Sequence, residues 1–251
     1  MTFCEKLGYK FIHDHRPVTR IYSDKLASRV YVEACQTGLK LPKVLGICHT
    51  VEEVLASIPP EPWVMKGSHG SRMVKVALRS GDAPREEIER LARQWLNKDY
   101  SLRYWESQYY GLPRRILFEE YLGGTDGRVP DDYKIYVIHQ QVRLITVDQG
   151  RFGDHTRNLF RPDWTPIACG LAHAAPASAP PPRPACLDRM IAIAEKLAWE
   201  SDVLRVDLYL VGGEMYFGEL THMPFASNVD IKDPALDAEL GSYWKLPEKY
   251  E

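Results

Sequence analysis

Apolar positions along the chain recur with two periods, one near 3.6 and one of two, and together they divide it into helices and strands. In "YSDKLASRVYVEACQTGLKLP", Leu26, Val30 and Ala34 form a helical stripe. Ser23 or Asp24 can cap its start and Gly38 can end it. "KVLGIC" reads as a short strand. "TVEEVLASI" reads as a short helix opened by a capping box, Thr50 with Glu53. "PWVMKGSHGS" is a strand entering a loop of small residues, and "MVKVAL" is the returning strand. Asp82 and Pro84 start a helix through about Asn97, with Ile88, Leu91 and Trp95 on one side.

The second half continues in the same manner. "RRILFEEYL" is a buried strand followed by the glycine-rich loop "GGTDGRVPDD". "YKIYVIHQQVRLITVDQ" alternates twice around His139–Gln141 and predicts a hairpin. "AAPASAPPPRPA" is of low complexity and suits an extended surface connection. "LDRMIAIAEKLAWES" places Leu187, Ile191, Ala194, Leu197 and Ala198 on one helical face. Hairpins mixed with single helices predict an α+β fold with mainly antiparallel sheet.

The last hairpin, "RVDLYLVGGEMYFGELTHMP", carries one acid in each strand, Asp207 and Glu219. Its register decides whether they meet, because side chains alternate faces along a strand. A two-residue Gly212-Gly213 turn sets Asp207 opposite Gly218. A three-residue loop instead sets Asp207 opposite Glu219, Arg205 opposite Thr221 and Tyr209 opposite Phe217. The three-residue register leaves Leu204, Val206, Leu208 and Leu210 on the reverse face with Tyr216 and Leu220, so it is preferred. Like charges placed opposite each other are destabilising unless offset. A divalent cation offsets them, and two carboxylates with substrate phosphates suit Mg²⁺ or Mn²⁺. Pairing of Asp207 with Arg205 or a lysine, with Glu219 solvated, is the alternative.

Composition narrows the classes. The chain has 251 residues, 45% of them apolar, enough for one large domain or two lobes. A formal net charge of -2 supplies no basic field for nucleic acid. Cys4, Cys35, Cys48, Cys169 and Cys186 form no CxxC pair, so a disulfide framework and a structural zinc site are not expected, and a cytoplasmic setting is. The first residues lack the apolar core of a signal peptide, and no apolar run reaches membrane-spanning length.

A phosphate-binding site also needs cations. Lys66 ends a strand before "GSHGS", a loop whose amides can approach phosphate oxygens. Lys25 sits in a first helical turn, where the helix dipole disfavours a cation unless an anion is near. Lys134 shares a strand face with Tyr136. Taken in isolation, each of these lysines reads first as a solvated surface position. "LFEEYLGG" ends a strand in Glu119 and Glu120, an edge able to offer backbone groups to a base and a carboxylate to a ribose. Tyr104, Trp105, Tyr109 and Tyr110 suit either a homodimer interface or packing beneath a lobe.

"SDKLASRVYV", "WVMKGSHGS", "RRILFEEYL", "DDYKIYVI", "LRVDLYLVGGEMYFGELTHMP" and "LGSYWKLP", in that order, resemble the TupA-like family of the ATP-grasp superfamily. The resemblance implies two α+β lobes of mainly antiparallel sheet gripping ATP. Residues 1–22 would be a short, reduced form of the region that precedes the domain, and 23–251 the ATP-grasp domain, with a small lobe at about 45–118 and a large one at about 119–251. It implies that Lys25 and Lys66 hold phosphates, and that Glu119, Glu120, Tyr121 and Leu122 form the adenine hinge. Asp132 would lie near the ribose and Lys134 near the phosphates. Asp207 and Glu219 would bind Mg²⁺ (or Mn²⁺), and Arg205 would stabilise the transferred phosphoryl group, with Lys66 as a second catalytic residue. Thr221 stands where many ATP-grasp enzymes carry an asparagine ligand, which makes it a weak or water-mediated one. Arg143, Arg151, His155 and Arg157 are candidates for recognising substrate carboxylate or phosphate.

The activity implied is a ligase that joins a carboxylate to an amine through an acylphosphate, in cell-surface polysaccharide or small natural-product biosynthesis. A kinase on the same fold, a glycosyltransferase of teichuronic-acid-type polymer synthesis, and a nucleotide-binding regulator are the competing readings. The absence of a GxSxG motif or a Ser/His/Asp triad agrees with phosphoryl transfer, which needs no protein nucleophile.

Overall fold

A computed structural model of the protein describes residues 1–104, 106–124, 129–150, 154–169, 174–224 and 231–250. In chain order the elements are α1 (Phe3–His13), α2 (Pro17–Ser23), α3 (Lys25–Ala34), β1 (Val44–Cys48), α4 (Val51–Ala56), β2 (Trp63–Gly67), β3 (Val74–Ala77), α5 (Arg85–Leu96), α6 (Tyr100–Tyr104), β4 (Ile116–Glu120), β5 (Asp132–Ile138), β6 (Gln141–Gln149), β7 (Thr156–Phe160), β8 (Pro166–Ile167), α7 (Leu187–Leu197), β9 (Val203–Val211), β10 (Glu214–Thr221) and α8 (Pro234–Tyr243). A 3-10 turn, Ser107–Tyr109, precedes β4. The strands make two antiparallel sheets, of order β1-β4-β2-β3 and β10-β9-β5-β6-β7-β8, as the α+β pattern predicts.

Helix starts follow local chemistry. Asp24 accepts the Leu26 and Ala27 amides and so caps α3, leaving Lys25 as its first residue. That helix stops at Ala34 rather than running to Gly38, because Gln36 already adopts positive φ. Thr50 caps α4, but Glu53 bonds the His49 amide at 2.6 Å, so the reciprocal half of the expected box is displaced by one residue. A full capping box, Thr2 with Glu5, opens α1, a helix the hydrophobic pattern left unassigned.

The small sheet packs Trp63, Met65, Ile116 and Phe118 against Ile88, Ala92 and Trp95 of α5. One face of the large sheet, with Tyr133, Ile135, Val206 and Leu208, is covered by Leu187, Met190, Ala194 and Leu197 of α7. The other face is divided. At one end Tyr136, Leu144 and Leu159 lie under Phe3 and Leu7 of α1 and Leu236 and Leu240 of α8. At the other end it is charged, with Lys134, Asp148, Arg157, Arg205 and Asp207 in neighbouring register positions. The low-complexity connection is held down: Trp164 Nε1 donates to the Pro181 carbonyl at 3.2 Å, and Pro181 is buried.

Candidate active site

The hairpin β9–β10 brings its two acids together by a route different from the predicted one. Val211 pairs with Glu214 across a two-residue turn in which Gly212 and Gly213 have φ of 59° and 83°. That register continues through Tyr209↔Tyr216 and Leu208↔Phe217. A bulge at Gly218 then shifts it, giving Asp207↔Glu219 and Arg205↔Thr221. The opposition of the two acids therefore holds, while the three-residue loop does not form. Phe217, not Tyr216, enters the core, so Tyr209 does not face it. Glycine at 218 is required sterically: a Cβ there would lie 2.9 Å from the Asp207 carbonyl oxygen.

Neighbouring strands extend this array across the charged half-face. Lys134 on β5 is in register with Asp207, Asp148 on β6 with Asp132, and Arg157 on β7 with Asp148. Lys134 Nζ donates to Asp132 and, at 2.9 Å, to Asp207. Arg205 binds Asp207 through Nε at 2.6 Å and Nη2 at 2.8 Å, and reaches Glu219 at 2.6 Å. Burial raises the pKa of Asp207, but the charges of Arg205 and Lys134 outweigh it and hold the carboxyl well below the usual range. Burial likewise opposes ionisation of Asp148, and its bonds to Arg157 overcome that.

The small sheet supplies the facing wall. Lys66 donates to Glu119 at 2.5 Å, and Arg29 of α3 donates to the same carboxylate at 2.9 Å. Glu120 accepts the Lys43 amide at 2.7 Å. Lys25 Nζ donates to the Gly70 carbonyl at 2.6 Å, which ties α3 to the loop after β2. Burial lowers the Lys25 pKa, with Lys66 adding to the effect.

Two cavities meet between the sheets. The smaller, about 350 Å³, has apolar walls at Pro42, Val64, Val76 and Leu122 and polar groups at Lys66, Glu119, Asp132 and Asp207. The larger, about 680 Å³, reaches from Lys134, Arg157, His155 and Arg205 to Tyr100, Glu106 and Tyr109. Lys25, Ser71, Arg72 and Glu219 line both. An apolar slot that opens onto cations and carboxylates suits a nucleotide, base inward and phosphates at the junction. The donor set fits a divalent cation as well. Asp207 and Glu219 offer hard oxygens side by side, and the Arg205 guanidinium spans both, so this is a place that requires positive charge. No cluster of three or more His, Cys, Asp or Glu able to hold a metal occurs among the described residues, so phosphate oxygens would have to complete the shell.

Of the residues singled out from sequence, Lys25, Lys66, Glu119, Glu120, Tyr121, Leu122, Asp132, Lys134, Arg205, Asp207 and Glu219 line these cavities, as do His155, Arg157 and Thr221. Thr221 Oγ1 lies 3.4 Å from Glu219. Arg143 is a correction. Its guanidinium stacks 4.1 Å from the Tyr243 ring of α8 and bonds Gln141, and it lines neither cavity. Arg151 and Trp105 lie outside the described residues. Tyr110 is 69% exposed, whereas Tyr109 turns into the larger cavity. Arg29, Arg72, Glu106 and Asp148 were missed. Period-two alternation marks Asp148 as facing the same side as Thr146, but only strand pairing sets it beside Lys134.

Two sheets clasping a nucleotide-shaped slot are the architecture of ATP-grasp ligases, and solved structures of that class share it. The ADP complex of N5-carboxyaminoimidazole ribonucleotide synthetase superposes with a TM-score of 0.54 at 17% identity, over 88% of this chain and 50% of that one. D-alanine-D-alanine ligase from Helicobacter pylori gives 0.54 at 14%, over 91% and 60%. L-amino acid ligase from Bacillus licheniformis gives 0.51 at 16%, over 82% and 44%. The chain thus spans between 44% and 60% of these larger proteins. Curated proteins yield no sequence match. The profile of the TupA-like ATPgrasp family matches residues 5–245, and the chain belongs to that family. No described helix is long and apolar enough to cross a membrane.

Proposed function

We propose that the protein is a Mg-ATP-dependent ligase that joins a carboxylate to an amine and releases ADP and phosphate, with residues 23–251 as its ATP-grasp domain. The observation that carries this reading is that Lys25 and Glu219 line both cavities, with Lys66 and Asp207 on the smaller, which suits a nucleotide, and Lys134 on the larger, which is open for a second substrate. Pro42, Val64, Val76 and Leu122 would enclose the base, with the backbone of Glu120–Leu122 at its edge. Lys25 and Lys66 would hold phosphate oxygens. Asp207 and Glu219 would hold Mg²⁺, which when bound neutralises charge on the β- and γ-phosphates. Arg205 lies between that pair and the larger cavity, placed to steady the transferred group. His155 and Arg157 lie where a substrate carboxylate can be received.

The proposed reaction has two transfers. A substrate carboxylate oxygen displaces ADP from the γ-phosphorus and forms an acylphosphate. An amine, as its free base, then attacks the acyl carbon, forming the amide and expelling phosphate, which takes up the proton that the nitrogen loses. Cell-surface polysaccharide and small natural-product biosynthesis are the settings proposed for it.

Calorimetric titration of ATP, with Mg²⁺ and with EDTA, tests the reading. Micromolar binding that requires Mg²⁺ and falls at least tenfold in Asp207→Asn is expected, together with ADP release from carboxylates that depends on an added amine. ADP release without an amine requirement would make the protein a kinase. UDP-glucose binding in place of ATP would make it a glycosyltransferase.

A further inference from the structure

Glu106 lines the larger cavity with Tyr100, Gln108 and Tyr109, while Arg205, Glu219 and Thr221 line it from the sheet. It is only 6% exposed. Among the described residues its one side-chain hydrogen bond comes from Gln108 Nε2 at 3.1 Å and it has no ion-pair partner, the Arg72 guanidinium acting on it only at longer range. A carboxylate has about four acceptor sites, so a single neutral donor leaves this one under-satisfied. The other buried carboxylates around the cleft are each matched: Asp24 by Arg115, Glu119 by Lys66 and Arg29, Asp132 by Lys134, Asp148 by Arg157, and Asp207 by Arg205 and Lys134. A buried charge without a partner is costly, and folds otherwise avoid it. Placed on a cavity wall, it is a receptor for a cation that comes from outside the chain.

Its position says which cation. Tyr109 lines the same cavity and lies within electrostatic range of Glu106, Glu219 and Arg205. Lys25, Arg72, Lys134, His155, Arg157 and Arg205 also line the cavity, Arg72 nearest in effect to Glu106 and the others toward the sheet and α3. An anionic substrate is drawn there and repelled by Glu106. A ligand with an ammonium group meets the opposite preference.

We propose that Glu106 is the specificity-determining residue for the amine substrate, which it receives as a primary ammonium ion in the larger cavity and which loses one proton to solvent before its nitrogen attacks the acylphosphate. The assignment rests on the ligase reading above and names the partner residue for its second substrate.

The test uses the full chain, with and without Mg-ATP. Its probes are ethanolamine, putrescine, glycinamide and the common L-amino acids, each beside its N-acetyl form, followed by thermal shift and calorimetry. At least one primary amine is expected to bind, with its N-acetyl form silent. Glu106→Gln is expected to weaken that binding at least tenfold while ATP affinity stays unchanged, and Glu106→Asp to keep part of it. Amine binding that survives intact in Glu106→Gln overturns the proposal, and so does failure of every primary amine to bind the wild-type protein. Amine binding lost in Glu106→Gln without amine-dependent ADP release would sink the ligase reading and leave the Glu106 assignment standing.

Discussion

His222 shows how a single side chain couples the cavity to the folded state. It is buried on the larger cavity, and burial, aided by the charge of Lys10, pushes its pKa down to about 3 against the opposing pull of Asp14 and Asp202. A free imidazole titrates near 6.5. Between about 6.5 and 3 the unfolded chain therefore binds a proton that the folded chain refuses, and stability falls as pH falls through that window. The melting temperature is expected to drop between pH 7 and pH 5, where most carboxylates remain ionised. His222→Gln should flatten that slope, and an unchanged slope in the variant would refute the assignment. In the sequence His222 simply follows "GELT", with nothing local to mark its surroundings. Its burial among Lys10, Asp14 and Asp202 joins residues some 200 positions apart, which no local pattern encodes. Glu106 was illegible for the same reason: its chemistry lies in the partners it lacks.

Among the elements, β9–β10 carries the clearest local code and also the clearest misreading. Alternation of Arg205, Asp207 and Tyr209 with Leu204, Val206 and Leu208 assigns the faces of β9 correctly. The glycine pair at the turn was read as the source of the register shift, whereas Gly218 produces it within the strand. A bulge leaves little trace in a sequence, since an isolated glycine in a strand has several causes. It leaves a strong one in mutational behaviour. Gly218→Ala must separate a Cβ from the Asp207 backbone, at an expected cost of roughly 1–3 kcal/mol, typical of overpacking. Because the same backbone carries the carboxylate pair, Mg-ATP affinity should fall with stability. Gly46→Ala, where a Cβ meets nothing closer than 3.9 Å, is the control expected to leave both nearly unchanged. Urea unfolding and ATP calorimetry on the two variants decide the point.

Across the whole molecule, the chain ends brace the half of the large sheet that the site does not occupy. Lys10 of α1, fully buried, bonds Asp14 and Asp202 at 2.5 Å each, and Trp244 Nε1 and the Tyr250 hydroxyl donate to the same Asp202. Phe3 and Leu7 meet Leu236, Leu240 and Trp244 in the core beneath. Lys10→Met is expected to destabilise the protein by about 3–5 kcal/mol, the range for breaking a buried pair by removing one partner. ATP affinity of the folded fraction should be unaffected, and a variant that unfolds at the wild-type urea midpoint would show that the cluster is not cohesive. By itself the sequence determined the alternation and helical stripes, the α+β class, and the acids and lysines of the cleft, because these depend on local period and on residue chemistry. The tertiary structure alone decided the bulge that aligns Asp207 with Glu219, the departure of Arg143 to α8, the pairing of Arg29 with Glu119 and the isolation of Glu106. Each of those depends on which distant backbone a strand or helix lies against, and burial and Coulomb energies follow from that proximity rather than from order along the chain.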